Sequence, residues 1–304
     1  MLITVFTPTY NRAHLLPRLY ESLKAQTCQD FEWLIVDDGS TDNTEEVLKE
    51  WCSPPSGGVG GDFLKEGRLR YFKQENGGKH RAVNRGVKEA RGELFFIADS
   101  DDWLPEDSLA TVEEYYKKNK GNHAIGGICG LDIAPDGAHV SSTLPQDEVI
   151  CSSLDIRLKY RIIGDLKEVF LTRVLREFPF PEFDGERFCP EALVWNRIAQ
   201  KYKLLFFNKS IYIAEYQPEG ITAGITRARM NSPVASVTTY QELNSYDIPL
   251  KEKVKAAINY WRFRACVPKG KQVPKLPWHW FWCMPLGWLM HRRDQKSRGL
   301  AKSS

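Results

Sequence analysis

The chain has 304 residues, 42% of them hydrophobic, and its 42 basic and 39 acidic side chains give a formal net charge of +3. This length and composition fit one large domain, or one domain with an appendage, and argue against a disordered chain. The charges are too balanced for a typical nucleic-acid-binding protein, and no apolar run reaches the ~18 residues of a membrane-spanning helix.

Strands and helices alternate regularly in the first 110 residues. Apolar, β-branched runs predict strands at 2–6, 31–36, 69–72 and 94–98, and helical spacing predicts helices at 15–26, 42–51 and 79–90. Two Pro and five Gly predict a surface loop at 53–67. This alternation predicts an α/β fold with a mostly parallel central sheet, right-handed crossovers and flanking helices.

After about residue 130 the alternation is lost. A strand is predicted at 125–131, a loop-rich stretch at 132–160, helices at 165–176 and 191–202, short strands at 204–207 and 211–214, and mainly helix at 231–266.

The seven cysteines and the N-terminal residues indicate the cellular compartment of the protein. The cysteines are odd in number and widely spaced, without any Cys-x-x-Cys pair, so neither a disulfide framework nor a zinc site is expected. Segment 1–6 has no basic leader and is interpreted as a strand rather than a signal peptide. We therefore expect reduced thiols and a cytoplasmic location.

Three carboxylates, Asp99, Asp101 and Asp102, directly follow the apolar run 95–98. Carboxylates this close repel one another unless a positive charge lies among them, and a divalent cation is the simplest candidate. Ligands of open α/β sheets bind just beyond the carboxyl ends of the strands. The alternative is a helix N-terminus before Pro105, which accounts for one or two of the acids, so the metal site is favoured.

Several motifs in the first 110 residues resemble those of glycosyltransferase family 2, in the family's order. They are Thr4-Val5-Phe6-Thr7-Pro8-Thr9-Tyr10-Asn11-Arg12, Trp33-Leu34-Ile35-Val36-Asp37-Asp38-Gly39-Ser40, Asn76-Gly77-Gly78, Asn84-Arg85-Gly86, Ala90-Arg91-Gly92-Glu93 and Asp99-Ser100-Asp101-Asp102. The resemblance is strong over 1–110, weaker over 160–220 and absent beyond about 265. It implies a GT-A fold and an inverting transfer of a sugar from a nucleoside diphosphate, usually with Mn²⁺ or Mg²⁺.

The resemblance also implies roles for the acids. Asp101 matches the second acid of the family's Asp-x-Asp motif and would be the direct metal ligand, while Asp99 would contact the ribose and assist with the metal. Asp102 has two interpretations, a supporting role beside the metal ligands and a helix cap. Asp38 matches the acid that accepts a hydrogen bond from the base, typically uracil, with a helix cap as the alternative.

The loops after the first and third strands supply further candidates for the donor site. Arg12 suits phosphate oxygens, Lys79 and Arg81 stand at a helix N-terminus that favours anions, and exposed helix starts are the alternative for all three. Tyr10 is a candidate to pack beside the base. The remaining candidates for nucleotide-sugar binding are Thr7, Pro8, Thr9, Gly78, Asn84 and Ser100.

An inverting transfer needs a base for the acceptor hydroxyl. Glu191 stands where the family usually has Asp, after Pro190 in place of a second acid, and is the candidate catalytic residue. The alternative is an acid favoured in the first turn of a helix by the dipole. Glu186 and Asp184 are the other candidates for the base.

The C-terminal segment 278–290 holds four Trp and one Phe between clusters of Lys and Arg. Such segments suit a membrane interface, so peripheral membrane contact through 275–298, on the inner face, is one interpretation. An arm packed on its own domain or on a partner subunit is the other.

We therefore expect a glycosyltransferase that uses a UDP-sugar and a glycan or lipid-linked acceptor. The domains would be a GT-A domain at 1–220 (donor half 1–110, acceptor half 111–220), a helical extension at 221–268 and a basic tail at 269–304. A non-catalytic nucleotide-sugar-binding protein is the alternative. A nucleotidyltransferase is disfavoured because residues 7–12 contain no glycine.

Overall fold

A computed structural model describes residues 1–52, 67–216 and 224–300. The chain divides into two compact units, one of Met1–Pro179 with Arg197–Glu215 and the other of Phe180–Asn196 with Tyr216–Ser304. The surface loop predicted at 53–67 falls outside the described residues except for Gly67.

The first unit holds one eight-stranded sheet. Its strands are β1 (Ile3–Thr9), β2 (Phe31–Asp37), β3 (Leu69–Lys73), β4 (Leu94–Ile97), β5 (Ile125–Ile133), β6 (Glu148–Cys151), β7 (Leu166–Leu171) and β8 (Lys203–Ile213). Its helices are α1 (Leu16–Lys24), α2 (Thr44–Cys52), α3 (Lys79–Glu89), α4 (Ser108–Asn119), α5 (Ser153–Leu158) and α6 (Thr172–Glu177). Helix α7 (Glu191–Ala199) begins in the second unit and ends in the first.

The strand order is β3-β2-β1-β4-β7-β5-β8-β6. The first four strands are parallel, β7 is antiparallel to both β4 and β5, and β8 is parallel to β5 but antiparallel to β6. The predicted α/β fold with a mostly parallel sheet and flanking helices is confirmed. All four carboxyl ends of the parallel half meet at one edge, where ligands of such sheets bind.

The core of this unit lies on both faces of the parallel half. Every residue of β1, β2 and β4 is buried, as expected for strands covered by helices on both sides. The rings of Phe6 and Phe95 on neighbouring strands stack with centroids 5.0 Å apart. Strand β1 runs on through Thr9, so the loop predicted to start at Thr7 begins later, because residues 7–9 pair with Ile35, Val36 and Asp37.

A buried polar cluster fixes the opposite edge of the sheet. The fully buried Glu32 carboxylate accepts hydrogen bonds from the Thr4 hydroxyl (2.6 Å), the Arg91 backbone N–H (2.7 Å) and the Arg70 guanidinium (3.1 Å). The Gly92 N–H donates to the Thr4 hydroxyl at 2.9 Å. The Ala-Arg-Gly-Glu motif is therefore held by buried hydrogen bonds at this edge.

We expect Gly92→Ala to lower the free energy of unfolding by ~3 kcal/mol, since overpacking against an atom that cannot move is strongly destabilising. A Cβ at Gly92 would lie 2.3 Å from the Thr4 backbone nitrogen. Urea unfolding measures the loss. Gly137→Ala is the control, because Gly137 has a left-handed φ of +82° but nothing within 4 Å of its Cβ position, and should lose only ~1 kcal/mol. Equal losses in both variants would contradict the steric explanation.

The second half departs from the predicted elements in two main places. The helix predicted at 165–176 is wrong, because 166–171 form strand β7 between β4 and β5, and only α6 is helical. The two short strands predicted at 204–207 and 211–214 are one strand, β8, whose register against β5 shifts between Phe206 and Ser210. Strand β6 and helix α5 lie within the stretch predicted to be loop-rich.

The second unit is mainly helical after residue 224, as the pattern at 231–266 predicts, with a non-helical stretch at 265–277. Its elements are α8 (Ile225–Asn231), α9 (Pro233–Ser245), α10 (Leu250–Arg264), a 3-10 helix (Trp278–Cys283) and α11 (Met284–Leu300). Within 1–52, 67–216 and 224–300, every helix is too short or too polar to cross a bilayer.

Candidate active site

Hydrogen bonds join the loops after β1 and β2. Asn11 has a left-handed φ of 52°, which asparagine tolerates better than most residues. Its side-chain oxygen accepts the N–H of Thr41 (2.8 Å), and its own N–H donates to the Ser40 hydroxyl (2.8 Å). The backbone N–H of Ala13 donates to Asp42 at 3.1 Å. Asn11 is thus a positioning residue that the motif contains but the sequence reasoning passed over.

The two aspartates at the end of β2 hold neighbouring segments. The buried Asp37 carboxylate accepts the N–H of Ser40 (2.7 Å) and the hydroxyl of Tyr71 (3.0 Å). Asp38 accepts the N–H groups of Gly77 (2.9 Å) and Gly78 (2.7 Å). Asp38 therefore positions the loop before α3, and its contact with a nucleotide base stays a prediction.

The positive charge among the acids comes from the protein's own side chains. The Lys79 ammonium, at the first residue of α3, lies 2.7 Å from one Asp99 oxygen and 2.9 Å from the other. The Arg12 guanidinium lies 3.2 Å from Asp101. Asp99, Asp101, Arg12 and Lys79 are thus brought together at the carboxyl edge of the sheet, as the motif order predicts.

Asp102 binds the end of β8. Its carboxylate accepts the Tyr212 hydroxyl (2.8 Å) and the Glu215 backbone N–H (2.9 Å), and the same hydroxyl accepts the Asp99 N–H (2.8 Å). The helix-cap interpretation of Asp102 is wrong, because helix α4 starts at Ser108, further along the chain. Asp102 instead supports the loop that carries Asp99.

Two further cations, which were not predicted from the sequence, contact the loop of Asp99–Asp102 or its neighbour Tyr212. The Lys167 ammonium lies 3.4 Å from the centre of the Tyr212 ring, on the strand that was predicted as helix. Arg18 on α1 donates to the Asp101 backbone oxygen (2.5 Å), pairs with Glu215 (2.8 Å) and stacks over Trp103 at 3.8 Å. Neither has a sequence signal, since their partners are distant in the chain.

The environment separates the pKa values of the acids. Burial acts to raise the pKa of Asp99, but Lys79 and Lys167 outweigh it and hold that pKa below its ordinary value. Burial and the charge of Asp99 raise the pKa of Asp101. Burial, with a smaller effect of Asp99, raises the pKa of Asp102 to about 6. Asp99 is therefore the carboxylate that stays ionised over the widest pH range.

Asp132 on β5 gives a pH-dependent prediction. Burial raises its pKa from 3.8 to about 7, and within the described residues its Oδ1 has no hydrogen-bond partner. The folded protein therefore binds an extra proton between about pH 4 and pH 7, so stability is lost as pH rises through this window, by ~4 kcal/mol at most. Asp132→Asn should remove that loss.

Urea unfolding of wild type and Asp132→Asn at pH 5 and pH 8 measures how the free energy of unfolding of each protein changes with pH. Asn lacks the titration, so the variant should gain relative to wild type as pH rises. A constant difference between the two proteins would show that Asp132 is already ionised at pH 5.

The other candidate residues of the first unit occupy varied surroundings. Thr7 is fully buried and accepts the Trp33 indole N–H (2.9 Å), so it serves the core. Arg81 donates to the Gly77 carbonyl at 3.0 Å. Tyr10 is 47% exposed at the end of β1. The others are buried (Pro8, Thr9, Ser100) or partly exposed (Gly78, and Asn84 beside a cavity of about 270 Å³ near α6).

The candidate base lies in the second unit. Glu191 is partly exposed at the first residue of α7. Both oxygens of the buried Glu186 accept N–H groups at the start of α9, from Val234 (2.7 Å) and Ala235 (2.8 Å). Asp184 is exposed. Glu186 is thus committed to a helix N-terminus, whereas the carboxylate of Asp184 faces solvent.

Residues 4–159 match the family described as glycosyl transferase family 2. Glycosyltransferase GlyG of Streptococcus pneumoniae is 29% identical over 70% of this chain and 70% of GlyG. A GalNAc(5)-diNAcBac-PP-undecaprenol β-1,3-glucosyltransferase of Campylobacter jejuni is 26% identical over 74% of this chain and 68% of that protein.

Two solved structures share the fold. Staphylococcus aureus TarS 1-349 in complex with UDP-GlcNAc aligns with a TM-score of 0.60 and 18% identity, over 88% of this chain and 82% of TarS. The mannosyltransferase PcManGT of Pyrobaculum calidifontis, in complex with GDP-Man and Mn²⁺, aligns with a TM-score of 0.54 and 17% identity, over 94% and 83%. The family match covers half of the chain, and with the predicted sheet and acid motifs in place, the chain belongs to glycosyltransferase family 2 and is a glycosyltransferase with a GT-A fold.

Proposed function

We propose that this enzyme moves a sugar from a UDP-sugar to a hydroxyl group of a glycan or lipid-linked acceptor, with inversion, in polysaccharide or glycoconjugate biosynthesis. The observation that carries this proposal is the meeting of Asp99, Asp101, Lys79 and Arg12 at the carboxyl edge of the parallel strands. Mixed charges at this edge suit a diphosphate that arrives with a counterion.

The nucleotide end of the donor would lie along the joined loops after β1 and β2. Tyr10 offers an exposed ring beside them. Asp38 already accepts three hydrogen bonds, from Gln74, Gly77 and Gly78. A carboxylate has about four acceptor positions, so one remains for a base N–H. The uracil assignment is supported by the TarS complexes with UDP and UDP-GlcNAc.

Asp101 and Asp99 would hold a divalent cation, Mn²⁺ or Mg²⁺. The described residues contain no group of three His, Cys, Asp or Glu side chains arranged for a metal. Two carboxylates are nonetheless sufficient where substrate phosphates complete the coordination, as is usual for Mg²⁺. The Mn²⁺ and GDP-Man complex of PcManGT supports this assignment. When bound, the cation would stabilise the charge of the leaving diphosphate.

The protein's own cations would act on the same charge. Lys79 and Arg12 stand within hydrogen-bonding reach of the acids and would turn to phosphate oxygens when the donor binds. Lys167 stays behind Tyr212, where it lowers the repulsion among Asp99, Asp102 and Asp132. Of these three acids, Asp99 is the one whose pKa lies below its ordinary value, so it would stay ionised beside an anionic ligand.

Glu191 would take the proton from the acceptor hydroxyl. Its side chain is partly exposed at the first residue of α7, so an acceptor hydroxyl can approach it. The acceptor is proposed to be lipid-linked because the name of the Campylobacter relative includes undecaprenol, with the reaction on the cytoplasmic side of the membrane.

The test is a panel of UDP-, GDP- and dTDP-sugars with Mn²⁺, read by thermal shift and by release of nucleoside diphosphate. We expect one UDP-sugar both to raise the melting temperature and to release UDP slowly to water. Stabilisation by a GDP- or dTDP-sugar alone would refute the uracil assignment. Binding without turnover, in the presence of varied acceptor sugars, would favour the non-catalytic alternative.

A further inference from the structure

The C-terminal 3-10 helix and α11 have one face that packs against α10. Trp280, Cys283 and His291 are buried along this face. At Gly287 the backbones approach so closely that a Cβ would lie 2.5 Å from the Trp261 side chain. The turns that touch α10 are thus packed on the protein's own chain, as one of the two interpretations of this segment expects.

Polar contacts fix the same face. The Trp261 indole N–H donates to the Trp280 carbonyl (3.2 Å), and the Arg262 guanidinium binds both oxygens of Asp294 (2.6 and 2.7 Å). The bidentate pair sets the rotation of α11 about its axis. The rotation in turn decides which side chains point away from α10.

The outer face is apolar and exposed. Trp278 is 87% exposed and Leu289 63%, and six further large apolar side chains lie between or next to them in the sequence. The further members are Phe281, Trp282, Met284, Leu286, Trp288 and Met290, each more than a third exposed. Phe281 also makes an edge-to-face contact with Trp261 on α10, with ring centroids 5.5 Å apart. Large exposed apolar side chains concentrated in one short segment mark an interaction site. We name these eight residues the outer apolar face.

Basic side chains surround the outer apolar face. Segment 253–304 has twelve Lys and Arg but one acid, Asp294, which Arg262 neutralises. Exposed lysines precede the face at Lys269, Lys271 and Lys275, and the Arg292 guanidinium lies 3.7 Å from the centre of the Trp288 ring. Exposed aromatic rings with adjoining cations match the interfacial layer of an anionic bilayer.

We propose that the outer apolar face inserts into the surface of an anionic membrane and anchors the enzyme there peripherally. A second copy of the chain fits less well, because a two-fold contact would bring the same basic border against itself. The inference does not depend on the donor or the acceptor. If the acceptor is lipid-linked, the same anchoring would keep the enzyme on the surface where the acceptor resides.

Flotation of the full-length protein with vesicles tests the proposal. The vesicles are phosphatidylcholine with or without phosphatidylglycerol. We expect wild type to float with the anionic vesicles and to lose at least ten-fold in bound fraction without phosphatidylglycerol. Trp278→Ser/Leu289→Ser, and separately Arg292→Glu/Lys296→Glu, should each lose a comparable amount. Leu250→Ser, 70% exposed at the start of α10, is the matched control and should float as wild type does.

Quenching of the wild-type tryptophan fluorescence by brominated lipids shows whether the rings enter the bilayer, and it needs no substitution. Donor hydrolysis should be unchanged in all variants, which also shows that they are folded. No flotation, or equal flotation of every variant, would overturn the proposal. Self-association that the same substitutions abolish in the absence of vesicles would overturn it in favour of a contact between copies.

Discussion

Asp101→Asn is expected to reduce metal-dependent release of nucleoside diphosphate by ~10²–10³-fold, because a cation on the leaving group is worth several kcal/mol. The substitution keeps the shape of the side chain but removes its charge, so a divalent cation loses one of two proposed carboxylate ligands. Arg12, which lies 3.2 Å from Asp101, loses its partner as well. Activity against Mn²⁺ concentration, measured for both proteins, gives the result.

Asp107→Asn provides the matched control. Asp107 is exposed in the same segment, and its side chain makes no capping hydrogen bond to α4. We expect its variant to retain wild-type activity and metal dependence. If Asp101→Asn also kept the wild-type dependence on Mn²⁺, the cation would have to bind elsewhere, and the positive charge supplied by Lys79 and Arg12 would be the more important one.

Glu191→Gln is expected to lower kcat for sugar transfer by ~10²–10⁴-fold while leaving the KM of the donor nearly unchanged, since a general base contributes about that much. Glutamine preserves the size of the side chain and one acceptor oxygen but cannot take up the proton. The limb of the pH–rate profile that reports ionisation of the base should also disappear. Steady-state rates with a competent acceptor, across a pH series, check both effects.

Asp184→Asn separates the candidates for the base. Its side chain is exposed, so the substitution should leave the fold intact. A large loss of kcat in Asp184→Asn with a small one in Glu191→Gln would transfer the role to Asp184. Glu186 is a poor third variant, because its two hydrogen bonds to α9 make any loss of activity a consequence of lost structure.

The sequence predicts the donor half well because its motifs are local. Strands β1, β2 and β4 are buried and largely apolar, polar residues follow them, and neighbouring strands bring those ends together. Asp99 and Asp101 therefore lie beside residues that follow β1 and β3, as expected. Which side chains supply the positive charge was harder to predict, because Lys79 is 20 residues from Asp99 in the chain and pairs with it only through tertiary structure.

Strand β7 shows why the second half was harder to predict. Its buried residues Leu166, Val169 and Phe170 follow the i, i+3, i+4 spacing of a helix, and Val174 and Leu175 on α6 continue it. Pairing with β4 and β5, whose partner residues lie 73–77 and 35–43 positions earlier in the chain, overrides this local pattern. Because Lys167 lies on this strand, the error also concealed a cation of the site.

The hydrogen bonds of segment 180–196 have a consequence for building chimaeras of this enzyme with its relatives. Glu186 binds the start of α9, Phe188 donates to Ser232, and Lys271 donates to the Asp184 carbonyl. In a chimaera joined at residue 220, the two members of each hydrogen-bonded pair would come from different parent proteins. The side chains and backbone positions would then no longer be matched to each other. An exchange of C-terminal helices should therefore carry segment 180–196 along, and with it Glu191, so that the proposed base and the C-terminal helices come from the same parent protein.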